Sequence, residues 1–339
     1  LALGRVLAFK ISFLRNGKKF DSPGYKDVVP TERVKSREPG KPSKIANQVI
    51  AICHSSTSYG KLHKNKQQKM PSTIIQSITR IKNQQAIQAD DTIIVESPLE
   101  ILIGYTALGK RHRTPIAATM RTPGDDFNLV SGWLFAEGII HEPSDLLQVK
   151  YMGNTDTVLA ELAPNVVFKP EENLRRFPIS AACGWCGRDT NTGETPNILP
   201  HSLHVSSDLI STLPQVLREG QGLFSATGGA HAIALVDKHG KLFLRCEDVG
   251  RHNAMDKILG GMLRNGQLPL HQYIAIFSGR LGYELAQKSL TGGIQIICSI
   301  GAPSSAALEL AEAYSMTVCG FVRPDGFNLY CGAERILDL

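Results

Sequence analysis

The sequence predicts an α/β protein of about two domains. Three observations carry this. Apolar runs at Tyr273 to Phe277, Ile294 to Ile300 and Thr317 to Phe321 are separated by the helical stretches Arg280 to Leu290 and Ser304 to Tyr314. That order is the pattern of parallel strands joined by right-handed crossovers. Further upstream, Leu99, Ile101 and Ile103 alternate as in a half-buried strand, and a short helical repeat follows. Finally, the 339 residues are 42% hydrophobic and 20% charged, enough to fill a core of about two domains. The expected boundaries are a basic arm over 1–73, the smaller domain over 74–175 with segments able to return to it, and the larger domain over 176–339.

Charge is concentrated at the start of the chain. The net value is +6, and Lys18, Lys19, Arg33, Lys35, Arg37, Lys41 and the group Lys61, Lys64, Lys66 and Lys69 lie among Ser, Gln and Asn. With no interleaved aromatics and no zinc-finger spacing, this segment reads as a solvated extension and not as a specific nucleic-acid binder. The apolar runs are far shorter than the roughly 20 residues that cross a bilayer. No signal-peptide pattern is present, and seven cysteines in so long a chain do not suggest a disulfide scaffold. A cytoplasmic location without a membrane span is expected.

Taken in order, the region from Ile74 to Tyr105 is strand-like and predicts a small sheet. Thr122-Pro123-Gly124-Asp125 supplies a turn, after which Leu129, Val130, Trp133 and Leu134 recur at helical spacing until Gly138, with Trp133 expected in the core. Another alternating stretch covers Tyr151 to Phe168. Ser207-Asp208 is placed to cap a helix running through Leu217. A hairpin follows, Ala232 to Val236 and Leu242 to Leu244 about the turn Asp237-Lys238-His239-Gly240, and then a helix with Met255, Ile258, Leu259, Met262 and Leu263 on one face.

In parallel sheets, ligands gather beyond the carboxyl ends of the strands. Ser278-Gly279-Arg280, Gly301-Ala302-Pro303-Ser304 and Val322-Arg323-Pro324-Asp325-Gly326 occupy those positions, and two of these loops open helices whose free amides attract phosphate. Neither a Walker A signature nor a dinucleotide glycine fingerprint occurs, which argues against a P-loop kinase or a Rossmann oxidoreductase.

The chemistry is expected at Cys183 and Cys186, in the run Cys183-Gly184-Trp185-Cys186-Gly187. Two thiols at this spacing can exchange disulfides, ligate a metal or pass sulfur as a persulfide, and the nearby Arg175, Arg176 and Arg188 favour thiolates. His201 and His204 are spaced to complete a Cys2His2 zinc set, although their place before a capped helix suits surface residues better. A zinc deaminase is excluded because no His-x-Glu occurs in the chain. A second cluster joins Thr227-Gly228-Gly229-Ala230-His231 to the run from Glu247 to Lys257. There His231, His252, Asn253 and Lys257 offer donors to an anion, while Asp256 and Lys257 can equally be a solvated helix face.

From about Ile93 to Arg335 the chain resembles the FdhD family of sulfur carriers required for active formate dehydrogenase. The motifs that carry the likeness are Thr122-Pro123-Gly124-Asp125, the run from Gly132 to Ile140, Cys183-Gly184-Trp185-Cys186-Gly187, the run from Phe224 to His231, the run from Glu247 to Lys257, Ser278-Gly279-Arg280, Ala302-Pro303-Ser304 and Gly320-Phe321-Val322-Arg323. The basic stretch before residue 70 has no counterpart in that pattern.

The resemblance implies a larger domain of three-layer, cytidine-deaminase-like fold with a mixed sheet, a smaller α+β domain and a homodimer. It also implies transfer of persulfide sulfur from a cysteine desulfurase to the molybdenum or tungsten bis(molybdopterin guanine dinucleotide) cofactor for formate dehydrogenase. On this likeness Cys183 carries the sulfur and Cys186 assists. The cofactor stretch maps onto Phe321, Val322, Arg323, Pro324, Asp325 and Gly326. Independently of the likeness, Ser278 and Arg280 are expected to converge on the same sheet edge, His231 and Arg251 are expected to line the same cavity, and no tightly held metal is expected. The alternative is a zinc-stabilised chaperone that binds the cofactor without a covalent sulfur intermediate.

Overall fold

The computed structural model describes residues 70–153, 156–170 and 202–339. The segment carrying Cys183 and Cys186, the basic arm up to residue 69, and His201 lie outside the described residues.

The expected small sheet is divided in two. Strands β1 (Thr73–Lys82) and β2 (Gln85–Ile94) form an antiparallel ribbon of their own, turning at Asn83 and Gln84, both with positive φ. Most of its isoleucines remain open to solvent, Ile75 at 76% and Ile81 at 67%, while Ile78 and Ile94 are half-buried. The chain then enters a four-stranded sheet of β3 (Ser97–Ala107), β4 (Lys110–Arg121), β5 (Leu146–Tyr151) and β6 (Thr157–Leu162), in the order β4-β3-β6-β5. Alternation concealed β4, because its first residues, Lys110 to Arg113, are all exposed and only its second half enters the core. Helix α1 (Asp126–Ala136) covers this sheet. Leu129, Val130, Trp133 and Leu134 meet Leu99, Ile101, Ile103 and Leu162, and Trp133 is buried as expected.

The second sheet has six strands: β7 (His231–Asp237), β8 (Leu242–Asp248), β9 (Tyr273–Phe277), β10 (Ile296–Ser299), β11 (Thr317–Arg323) and β12 (Gly326–Cys331). Their order is β12-β11-β10-β9-β7-β8. The three central strands of the crossover pattern, β9, β10 and β11, are parallel as read from the sequence, and the flanking strands are antiparallel. Near-continuous apolar runs suit a sheet covered on both faces. Along β7, Ala232, Ala234 and Val236 pack with Ile210, Leu213 and Leu217 of α2 (Ser207–Arg218). Ile233 and Leu235 point the other way, into the core formed with α4 (Arg251–Arg264), α5 (Tyr283–Thr291) and α6 (Ser305–Ala313). A short α3 (Gly222–Thr227) leads into β7.

Two helix starts shift. Ser206, not Ser207, caps α2 by accepting the Leu209 N–H at 3.3 Å. Helix α5 begins at Tyr283 and not at Arg280, because Leu281 donates its N–H to Ala302 and bridges the neighbouring loop.

The two larger sheets are joined through α1 and α4. A Cβ on Gly132 would lie 1.9 Å from the Asp256 carbonyl oxygen, and one on Gly260 would lie 1.9 Å from that of Asn128. The helix backbones touch where neither residue has a side chain. No described helix is long and apolar enough to cross a membrane.

Candidate functional site

The carboxyl ends of β9, β10 and β11 lie side by side because the strands are parallel and in register, so the loops that leave them share one edge. Backbone bonds lock these loops together. Gly301 donates to the Gly279 carbonyl at 3.1 Å, Phe321 to that of Gly301 at 3.1 Å, and Ser304 to that of Leu281 at 2.9 Å. Arg323 Nη1 donates to the carbonyls of Ile300 and Val322, both at 2.8 Å, which holds its guanidinium against the loop after β10.

His231 reaches the same edge from the opposite direction, since β7 runs antiparallel to β9. Ser278 Oγ accepts the Ala232 N–H at 3.0 Å and lies 3.4 Å from His231 Nδ1. A Cβ on Gly279 would sit 3.4 Å from the His231 ring and 3.9 Å from Arg251 Cδ, while one on Gly301 would sit 3.1 Å from Arg280 Cγ. His231, Arg251, Ser278 and Arg280 are thus neighbours around a backbone that approaches closely because it carries glycine. Burial, reinforced by the Arg251 charge and opposed by Asp248, holds the His231 pKa below its ordinary value.

The stretch from Phe321 to Gly326 is a strand and a turn, and not simply a loop. Phe321 to Arg323 end β11, and Gly326 opens β12 opposite Arg323. Val322 is fully buried in the core beneath α2 and lies at the base of a groove lined by Ile300, Arg323 and Pro324. Phe321 is 44% exposed and has φ +52°, a left-handed conformation that costs a bulky residue of order 1 kcal/mol or more. Pro324 and Asp325 are exposed at the turn.

Within the run from Glu247 to Lys257, Asn253, Asp256 and Lys257 take a different part from either alternative read in the sequence. Lys257 and Asp256 are buried, so they form no solvated face, and Asn253 and Lys257 are occupied inside the protein. Lys257 Nζ lies 2.7 Å from Asp248 Oδ2 and donates to the Thr122 carbonyl at 3.1 Å. Asp248 also accepts the N–H groups of Thr122 and Gly250, and Asn253 Nδ2 donates to Asp248 and to the Met120 carbonyl. This is a clamp between the turn at Thr122 and the start of α4. Burial works against the Lys257 charge, but Asp248 overrides it and leaves the amine pKa raised.

A second buried group lies beneath it. Lys288 Nζ donates to both Asp256 oxygens at 2.7 Å and is 3.5 Å from Glu284, which lies 3.8 Å from His252 Nε2. Glu247, unremarked in the sequence beyond its motif, accepts the N–H groups of Leu223 and Phe224 and so fixes the start of α3. The pattern of a carboxylate near an uncapped helix start carries that signal only once the fold is known.

Among the described residues no group of His, Cys, Asp and Glu has the makings of a metal site. His204 is exposed, in keeping with a surface position, while the other members of the Cys2His2 set lie outside the described residues.

The model of the FdhD/NarQ family matches residues 94–337. The chain is 38% identical over 259 residues to the sulfur carrier protein FdhD of Saccharolobus solfataricus, covering 76% of this chain and 96% of that one. It is 39% identical over 260 residues to that of Sulfurisphaera tokodaii, with coverage of 77% and 97%, and 36% identical over 280 residues to that of Mycobacterium tuberculosis, with coverage of 78% and 99%. A crystal structure from Desulfotalea psychrophila, assigned as a formate dehydrogenase accessory protein, superposes with a TM-score of 0.63 at 24% identity, covering 79% of this chain and all of that one. That likeness concerns the fold.

Proposed function

The chain belongs to the FdhD/NarQ family of sulfur carriers, and from that premise we propose that it accepts persulfide sulfur from a cysteine desulfurase and delivers it to the bis(molybdopterin guanine dinucleotide) cofactor of molybdenum or tungsten, as required for formate dehydrogenase activity. Family membership over most of the chain is the observation that carries this reading. The Cys183-Gly184-Trp185-Cys186 run supplies chemistry suited to it.

In the loading step the Cys183 thiolate attacks the outer sulfur of the desulfurase persulfide. The desulfurase cysteine leaves as a thiolate, and Cys183 becomes the persulfide. Attack of the Cys186 thiolate on the inner sulfur of that persulfide then expels the outer sulfur as hydrosulfide and leaves a Cys183–Cys186 disulfide. A cellular dithiol or glutathione restores both thiols, so atoms and electrons balance over the cycle. The acceptor is a bulky anion, and the edge formed by Ser278, Arg280, His231, Arg251, Phe321 and Arg323 offers it guanidinium, imidazole, hydroxyl and backbone donors. In this reading the protein is a cytoplasmic homodimer with no resident metal. Its larger domain is a cytidine-deaminase-like scaffold over 176–339, set beside a smaller domain over 74–175.

The test is intact-mass analysis of the protein after incubation with a desulfurase and cysteine. Wild type gains about 32 Da for one sulfur; C183S gains none, and C186S gains it but releases it poorly to the acceptor. Normal loading through C183S overturns the assignment.

A further inference from the structure

The six-stranded sheet has a second end, and a cavity of about 660 Å3 opens there. It lies at the start of β9, where Tyr273 stands, and beside the turn of the β7–β8 hairpin. The carboxyl edge that carries Ser278 is about 17 Å of strand away. Leu203, Leu242 and Phe243 wall the cavity together with Tyr273, and the rings of Phe243 and Tyr273 are stacked with centroids 4.5 Å apart. Its rim is basic. Lys238, His239 and Lys241 come from the hairpin turn and His271 from the loop before β9, against the single carboxylate of Asp237. Asp237 is committed to the turn, since its Oδ1 accepts the N–H groups of His239 at 2.9 Å and Lys241 at 3.0 Å. Two ammonium groups against one carboxylate leave the rim positive before either imidazole is protonated.

A buried amide holds the far side in place. Gln295, completely buried, accepts the N–H groups of Ser202 and Leu203 through Oε1, both at 3.3 Å. Its Nε2 donates to Ser202 Oγ at 2.8 Å and to the His271 carbonyl at 2.9 Å, so one side chain ties two lining segments together. Apolar walls with a few convergent polar groups, at this volume, suit a small molecule. We propose that the cavity binds a small aromatic anion, a flat ring carrying a phosphate group, with the ring against Phe243 and Tyr273 and the phosphate among Lys238, Lys241, His239 and His271. Each part of the ligand follows from the lining. A bare phosphate leaves the aromatic wall in water, and an uncharged ring leaves the ammonium groups unused. Ring packing and charge-assisted hydrogen bonds add only when one molecule carries both. Phosphate suits the rim better than carboxylate, because its three terminal oxygens accept from several donors at once and four basic side chains offer them. A cation of the same shape would gain only from Asp237, whose Oδ1 is already taken twice.

The test titrates the full chain calorimetrically with phenyl phosphate, inorganic phosphate and benzyl alcohol. Wild type binds phenyl phosphate about tenfold or more tightly than either of the others. The double variant K238A/K241A, changed only at exposed side chains and so expected to fold, loses about tenfold or more in affinity for phenyl phosphate. F243L keeps an apolar wall without the ring; it weakens phenyl phosphate and leaves inorganic phosphate as in wild type. R323A, at the other end of the sheet, leaves phenyl phosphate binding unchanged. If phenyl phosphate binds no more tightly than inorganic phosphate, or if K238A/K241A binds it as wild type does, the proposed site is wrong. Loss of binding in R323A with none in K238A/K241A would move the ligand to the carboxyl edge, overturning this site and leaving the sulfur-transfer reading untouched.

Discussion

His231 meets its surroundings as a neutral imidazole. Burial disfavours its charged form, Arg251 adds to the effect, and Asp248 only partly offsets it, so the folded pKa lies below the ordinary 6.5. Between those two values the unfolded chain holds a proton that the folded protein refuses. The stability associated with the neutral ring is therefore complete above pH 6.5 and declines as pH falls towards the folded value. An NMR titration of the His231 ring should give a midpoint below 6.5 in wild type and a higher one in R251A; a midpoint indifferent to R251A would show that Arg251 does not act on it. His231 and Arg251 were both legible as partners in the sequence because each follows or precedes a glycine turn within a motif. Asp256 and Lys257 were not. Their reading as a solvated face assumed that α4 is amphipathic, but every residue from His252 to Leu263 is buried, so polarity on this helix signals internal ion pairs and not exposure.

At the level of elements, the crossing of α1 and α4 makes a demand that composition conceals. Gly260 and Gly261 are adjacent and have the same local context, yet a Cβ on the first strikes the Asn128 carbonyl at 1.9 Å, while on the second it meets only the Asn128 side chain at 3.6 Å. Neither has the positive φ that would itself require glycine. G260A should force the helices apart and cost roughly 1–3 kcal/mol. G261A should be neutral or gain up to about 1 kcal/mol from helix propensity. Urea denaturation of both variants measures the contrast, and equal midpoints would mean that the crossing relaxes at no cost. The strands β9, β10 and β11 were readable because each is a short apolar run between helices. The ribbon β1–β2 and strands β4 and β12 were less so, since their pairing depends on neighbours and their exposed residues break the apolar pattern that marks a buried strand.

Across the whole molecule, the same helix pair and the Thr122–Asp248–Lys257 clamp bear on how the protein unfolds. Leu263 of α4 lies in the core of the four-stranded sheet, while Met255, Ile258, Leu259 and Met262 lie in that of the six-stranded sheet, so one helix serves both. The clamp ties the end of β4 to the end of β8 through a buried lysine, whose loss from either side would leave an unpaired charge. A boundary drawn from sequence near residue 175 is therefore not a line along which the described residues can separate without exposing α4. The two cores should melt together. Of the two tryptophans, Trp133 is buried in the smaller core, so W185F leaves it as the sole indole reporter of that region. Far-ultraviolet circular dichroism follows all helices, most of which lie on the larger sheet. Urea transitions followed by Trp133 fluorescence and by circular dichroism should coincide in W185F, as a two-state unit requires. Fluorescence that changes at a lower urea concentration than ellipticity would show the four-stranded sheet detaching first, and would mean that the shared helix and the clamp do not couple the cores.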